Sequence, residues 1–225
     1  MSKPTTPVPD ELRRSARKTL ALEIRPDGTL VVRAPLRMSR AAIDRFLREK
    51  ADWIAEKRQK ARENAQNNVL TVQNGACWPL FDREVRLVFA PVKKASLYEE
   101  NDVLYLPADT PEAALERFYR EQTLCVCSRL AGEWAPKMGV TFTAVKVNGA
   151  KTRWGSCSAR GNLNFTWRLA LCPLPVAEYV VIHELCHRRH MDHSAAFWRM
   201  VADYCPDYMV HKRWLKSHNA FMLAE

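Results

Sequence analysis

The chain has 225 residues, 47% of them hydrophobic and 27% charged, a balance that excludes disorder as its main theme and fits one or two packed domains. Its longest apolar runs, such as 177–185, are broken by Glu178, His183 and Glu184. They fall short of the roughly 20 residues that a bilayer span requires, so no membrane helix and no membrane partner are expected. The net charge of +10 makes nucleic acid a candidate partner without demanding one, because a field of that sign attracts polyanions in general.

The N-terminal residues 1–14 hold prolines and charges but no apolar core of the kind a secretory signal carries, and are expected to be a disordered lead-in. A hairpin follows. Leu20, Leu22 and Ile24 alternate with polar residues, Pro26-Asp27-Gly28 supplies a turn, and Leu30, Val31 and Val32 resume the strand. Ser39 is placed to cap a long helix, with Ile43, Phe46, Leu47, Trp53 and Ile54 on one face, that runs to about Asn64 and packs on the hairpin. Short β-branched and aromatic runs at 69–72, 85–90 and 103–106 predict further antiparallel strands. Residues 15–110 thus read as a β-rich N-terminal region with one long helix, and 111–225 as a second domain.

From Pro111 the apolar spacing turns helical and ends near Met138-Gly139, where glycine suits a helix terminus. Cys125 and Cys127 lie in this helix two positions apart, facing different directions, and read as packing residues rather than metal ligands. Seven cysteines without regular spacing argue against a disulfide framework and for a reducing, cytoplasmic setting. Then come a strand at 143–147, a loop carrying Thr152-Arg153-Trp154-Gly155-Ser156-Cys157, and a strand at about 163–169. Pro173 and Pro175 open a helix expected to run from about Val176 to His190, and Ser194 is placed to cap another that reaches Tyr204.

His183-Glu184-Leu185-Cys186-His187 is an HExxH motif. On a helix of 3.6 residues per turn its two histidines lie about 40° apart around the axis and share a face. Two imidazoles so placed can each offer a nitrogen to one tetrahedral zinc ion, and Glu184 can then reach a water in the open position as general base. A catalytic zinc takes a third protein ligand. His190 lies about 20° from His183 on a continued helix and would need no bend, whereas His193 lies about 80° away and requires the chain to turn back near Met191-Asp192. Helix geometry alone leaves both open.

Arg188 and Arg189 stand where apolar residues would follow a buried site, which suggests an exposed helix end or one that faces an anion. Arg153 could stabilise an oxyanion or phosphate and Trp154 could stack on a substrate, or Trp154 and Cys157 could fill the core beneath their loop. Asn164, on the strand after the loop, is a further candidate for contact with a substrate backbone.

Taken together, VVIHELCH, the DHSAAFW that follows at 192–198, TRWGSCS at 152–158 and GNLNFTWRL at 161–169 resemble the YgjP-like metallopeptidases, relatives of the SprT-like zincins. The resemblance extends from about Arg14 to Ser217. It implies an α+β fold with a zincin-like, minigluzincin-type core: an antiparallel sheet, an active-site helix and a support helix. It also implies His193 as the third ligand. The function this points to is zinc-dependent hydrolysis of peptide bonds with polypeptide as substrate. Two alternatives use the same residues differently: hydrolysis of a nucleotide phosphoanhydride, or a nucleic-acid-associated zinc protein, including a protease stimulated by DNA.

Overall fold

The computed structural model describes residues 6–25, 28–67, 70–218 and 221. Among them the chain is α+β, with six α-helices and three small sheets. Its backbone divides into two compact units, Met1–Val69 and Leu70–Glu225.

In the first unit, strands β1 (Glu11–Ser15), β2 (Ala21–Ile24) and β3 (Leu30–Pro35) form a sheet in the order β1-β3-β2. The hairpin of β2 and β3 is antiparallel, as its alternation predicts, with Gly28 at φ 85°. The expected turn residues Pro26 and Asp27 lie outside the described residues. Four of the residues expected to be a disordered lead-in instead belong to β1, which pairs in parallel with β3. Its sequence has no apolar alternation to betray it. The strand is held by its ladder and by Glu11, whose carboxylate takes Arg25 at 2.6 Å and Arg13 at 2.7 Å. The single long helix is two: α1 (Arg40–Glu49), capped by the Ser39 side chain, and α2 (Ala51–Asn67), separated at Lys50. Ile43, Leu47 and Ile54 pack with Leu30, Val32 and Ala34 into one small core.

The second unit opens with β4 (Cys77–Leu80), β5 (Arg83–Ala90), β6 (Ser96–Tyr98) and β7 (Val103–Pro107), in the order β4-β5-β7-β6. The strand expected at 69–72 is absent from the described part, 70–72, which is irregular. Helix α3 (Pro111–Lys137) buries Leu115, Phe118 and Tyr119 against Trp78, Leu87 and Leu104 of this sheet. A boundary at residue 110 would cut through that core, which is why the compact division falls at 69/70 instead.

The third sheet joins β8 (Ala144–Asn148), β9 (Gly155–Cys157) and β10 (Asn162–Thr166) in the order β8-β10-β9, leaving β9 at an edge. None of the sheets is purely antiparallel, contrary to expectation: β1 with β3, β5 with β7, and β8 with β10 all run parallel. Between the members of each pair the chain lays a further strand on the far edge, in a connection of the dozen or so residues that parallel pairing needs. The strand expected to reach residue 169 stops at Thr166. A 3₁₀ turn (Trp167–Leu171) follows, its backbone claimed from elsewhere: Thr123 Oγ1 donates to the Trp167 carbonyl at 3.0 Å and Phe81 N to that of Ala170 at 2.7 Å.

Helix α4 (Leu174–Cys186) is buried along most of its length against α3, β10 and α5 (Ala195–Tyr204), while α6 (Tyr208–Ser217) packs on it through partly buried Trp214 and Leu215. Cys125 is exposed and Cys127 buried on α3, so the pair does point apart. No helix among the described residues is long and apolar enough to cross a membrane.

Candidate metal centre

Prolines at the start of α4 suit a first turn whose N–H groups have no helical partner, and its apolar run places Val180, Val181, Ile182 and Leu185 in the core. The same run carries His183 and Glu184 inward. The helix ends at Cys186, four residues earlier than its pattern predicts, with His187 as the capping residue just beyond it. Backbone N–H groups of Arg188 and Arg189 close the last turn on the carbonyls of Leu185 and Cys186, both at 3.0 Å.

The two arginines explain the early stop. Arg188 donates to the carbonyls of Thr141 at 2.8 Å and Ala159 at 3.1 Å, and Arg189 to that of Gly139 at 3.0 Å. Both side chains therefore tie the helix end to neighbouring loops through backbone oxygens. The chain then reverses. Asp192 accepts from the backbone of Ser194 at 3.2 Å, Ser194 caps α5 by accepting from Phe197 N, and His193 is carried back toward α4.

One nitrogen from each of His183, His187 and His193 lies within 4.8 Å of the others. The Nε2 atoms of His183 and His193 are 3.2 Å apart. Two nitrogens each about 2.0–2.1 Å from one tetrahedral ion would be roughly 3.3 Å apart, so this separation fits a shared cation. Nδ1 of His187 is 2.9 Å from the carbonyl oxygen of His190, which can only accept; Nδ1 therefore carries the proton, and Nε2 is left with its lone pair. His190 thus contributes a carbonyl, and its imidazole is not part of the cluster.

Burial prepares two of the three rings for a cation. Burial, followed by the nearby His187, His193 and Lys212, holds the pKa of His183 down to about 3, and burial also lowers that of His187. Both rings are consequently neutral and able to coordinate. The Phe197 ring lies 4.6–4.9 Å from all three imidazoles, Trp198 stacks on His193, and Tyr179 meets His183 edge-on.

Glu184, 5% exposed, lies against Gly155 of β9. Its carboxylate accepts from the backbone N–H of Cys157, while Oε2 is buried with no partner among the described residues. Burial raises its pKa to about 8, opposed by the positive charge of Arg153 and by the Cys157 N–H. Arg153 is exposed. Trp154 is half-buried and touches the cores on both sides of its loop, and Cys157 packs against one of them, as the packing reading of that loop anticipates. Asn164 lies opposite Ser156 in the β9–β10 ladder and donates to Asn162 O at 3.4 Å, outside the histidine cluster.

Several residues at this centre are invisible to motif reading. Phe197 has only its helical spacing with Val201 to mark it as buried, Tyr179 only its place one turn before His183, and Lys212, 4.0 Å over the Trp198 ring, has no local signal. Gly155 is the most consequential omission, because a close approach to Glu184 leaves no trace in neighbouring sequence.

Comparison with curated proteins and with solved structures finds no match. A family model described as YgjP-like, metallopeptidase domain, matches residues 18–218, which include both sheets of the second unit, α4 and the three histidines. That family implies a metal ion, and the histidine cluster is a group that could hold one. The chain belongs to the YgjP-like family and carries its metallopeptidase domain across most of its length.

Proposed function

We propose that the protein is a zinc-dependent peptidase in which His183, His187 and His193 hold the ion and Glu184 is the general base. The observation that carries this reading is the convergence of three imidazole nitrogens within 4.8 Å on the helix that also buries Glu184. Three histidines match the number of protein ligands in catalytic zinc sites, and would hold the ion with room for a water. A zinc ion there supplies a Lewis acid and brings the pKa of water to about 7. Glu184, held against β9, takes the proton from the attacking water and returns it to the leaving amine. The edge strand β9, whose Cys157 N–H is taken by Glu184, offers the rest of its outer edge to an extended polypeptide, with Arg153 and Trp154 just before it as contacts for the substrate. In this reading α4 is the active-site helix and α3 the support helix of a zincin-like, minigluzincin-type core. Seven free cysteines fit a cytoplasmic, reducing setting.

The test is hydrolysis of an unfolded polypeptide by zinc-loaded protein beside Glu184→Gln, which should lose about 10²–10⁴-fold in rate while retaining zinc. Nucleotides are assayed in parallel, and single-stranded DNA is added to one arm to test whether nucleic acid stimulates cleavage. Hydrolysis of nucleotides alone, abolished in Glu184→Gln, would overturn the peptidase reading.

A further inference from the structure

Helix α6 brings a positive charge to the histidine cluster. Tyr208 stacks on Trp198, with ring centres 5.5 Å apart, and one turn later the ammonium of Lys212 stands 4.0 Å over the same indole. The Trp198 ring is in turn 5.7 Å from the rings of both His183 and His193. The ammonium is therefore no farther than about 10 Å from the centre of either imidazole, about one Debye length at physiological salt. Its field reaches the cluster: behind burial and the two neighbouring imidazoles, Lys212 also lowers the pKa of His183.

Nothing acidic on α6 answers this charge. Tyr208–Ser217 holds Lys212, Arg213 and Lys216, all exposed, and no aspartate or glutamate. Among the described residues none of the three cations has an ion pair. Met209, three residues before Lys212 and so a neighbour on the helix surface, leaves half of its apolar side chain in solvent. The rim of the cluster thus sets an exposed ammonium beside an exposed apolar side chain. An extended peptide advances about 3.3 Å per residue, so a carboxylate one or two residues past a bond held at the histidines falls within reach of Lys212.

We infer, on the basis of the peptidase reading, that Lys212 selects peptides ending in a free carboxylate one or two residues beyond the bond cut, so that the enzyme removes an amino acid or dipeptide from a C-terminus. Lys212 meets the terminal carboxylate, and Met209 lies beside the apolar side chain of the last residue. The water oxygen joins the carbonyl carbon, the C–N bond breaks, and the proton leaves on the amine of the released piece. An acidic side chain at the same place would answer the ammonium but set a second charge or a bare backbone against Met209. A neutral chain running on past the site would leave the ammonium without a counter-charge.

The probes are N-acetylated Ala-Ala-Ala-Phe-Leu with a free C-terminus, its C-terminal amide, and the amide of N-acetylated Ala-Ala-Ala-Phe-Glu, whose only carboxylate is on a side chain. Isothermal titration of zinc-loaded Glu184→Gln should find the free acid bound about fivefold more tightly than either amide, the upper range for a charge pair open to solvent. Adding Lys212→Met should abolish that preference at unchanged zinc content, and Lys212→Arg should keep it. Mass spectrometry of the free acid after incubation with zinc-loaded wild type should show release of leucine or Phe-Leu. Equal binding of acid and amide, a preference that survives Lys212→Met, or cleavage at interior bonds alone would overturn the inference and leave the peptidase reading standing. Binding of the glutamyl amide as tight as that of the free acid would overturn it too, by moving the selection to acidic side chains. An equal loss of cleavage on acid and amide in Lys212→Met would place Lys212 at the reacting carbonyl instead. If zinc-loaded protein neither binds nor cuts any of the three, the peptidase reading fails and the inference falls with it.

Discussion

The carboxylate of Glu184 lies where a side chain on Gly155 would be: a Cβ on that residue would meet Glu184 Oε1 at 2.7 Å and Cγ at 2.9 Å. Those distances are shorter than folded proteins tolerate, so the glycine and the glutamate form a matched pair across the β9–α4 contact. The backbone at Gly155 is of ordinary sign, so the requirement is for space rather than for conformation. Gly155→Ala should therefore fold and bind metal yet misplace the base. A displacement near 1 Å at a reacting group costs about 10²-fold in rate, and a drop of that order in kcat with unchanged zinc content is the expected result. Wild-type activity in Gly155→Ala would mean that the position of Glu184 is not critical.

Metal content should separate the four histidines of this region. His187→Ala and His193→Ala remove nitrogens from the cluster and should lose stoichiometric zinc after dialysis, as measured by plasma emission. His190→Ala keeps the carbonyl that holds Nδ1 of His187 and should retain it. Zinc retained in His193→Ala but lost in His190→Ala would reverse the assignment of the third ligand.

What could be read from the sequence here was whatever depends on neighbours along the chain. The shared face of His183 and His187, the caps at Ser39 and Ser194 and the β2–β3 hairpin follow from local spacing and local chemistry. The early end of α4 does not. It depends on carbonyls of Gly139, Thr141 and Ala159, remote residues that no helical pattern encodes. For the same reason helix geometry leaves His190 and His193 open, and it is the path of 188–193 that brings His193 into the cluster. The parallel pairings and the 3₁₀ turn after Thr166 were hidden likewise, since each is decided by a strand or side chain from elsewhere in the fold.

Arg188 is accordingly predicted to matter for stability although it sits beside a motif of chemistry. Its two bonds hold the loops at Thr141 and Ala159 to the helix end, next to Gly161, whose φ of 84° favours glycine and where a Cβ would crowd the guanidinium carbon at 3.1 Å. Arg188→Ala should cost about 1–3 kcal/mol in urea unfolding. Arg188→Lys should recover only part of this, because an ammonium cannot reproduce the planar fork that spans two carbonyls. Full recovery with lysine would show that charge alone is used.

The buried Glu184 also sets a pH dependence in protein stripped of metal by a chelator. An unfolded chain ionises this carboxyl near 4.5, whereas the folded one keeps its proton to about 8. Between those values the folded state binds more protons than the unfolded, so stability falls as pH rises through the window. His183 acts in the opposite sense lower down: its unfolded imidazole takes up a proton near 6.5 and the folded one only near 3, so stability falls as pH drops below 6.5. The two windows overlap, and subtracting the curve of a Glu184→Gln variant isolates the glutamate. At about 1.4 kcal/mol for each tenfold difference in proton affinity between the two states, that variant should gain on the order of a few kcal/mol over wild type between pH 5 and pH 8. Urea unfolding at pH 5, 6.5 and 8 measures it. Parallel curves for the two proteins would mean that the folded carboxyl ionises at its ordinary value, and that its burial against Gly155 is relieved in solution.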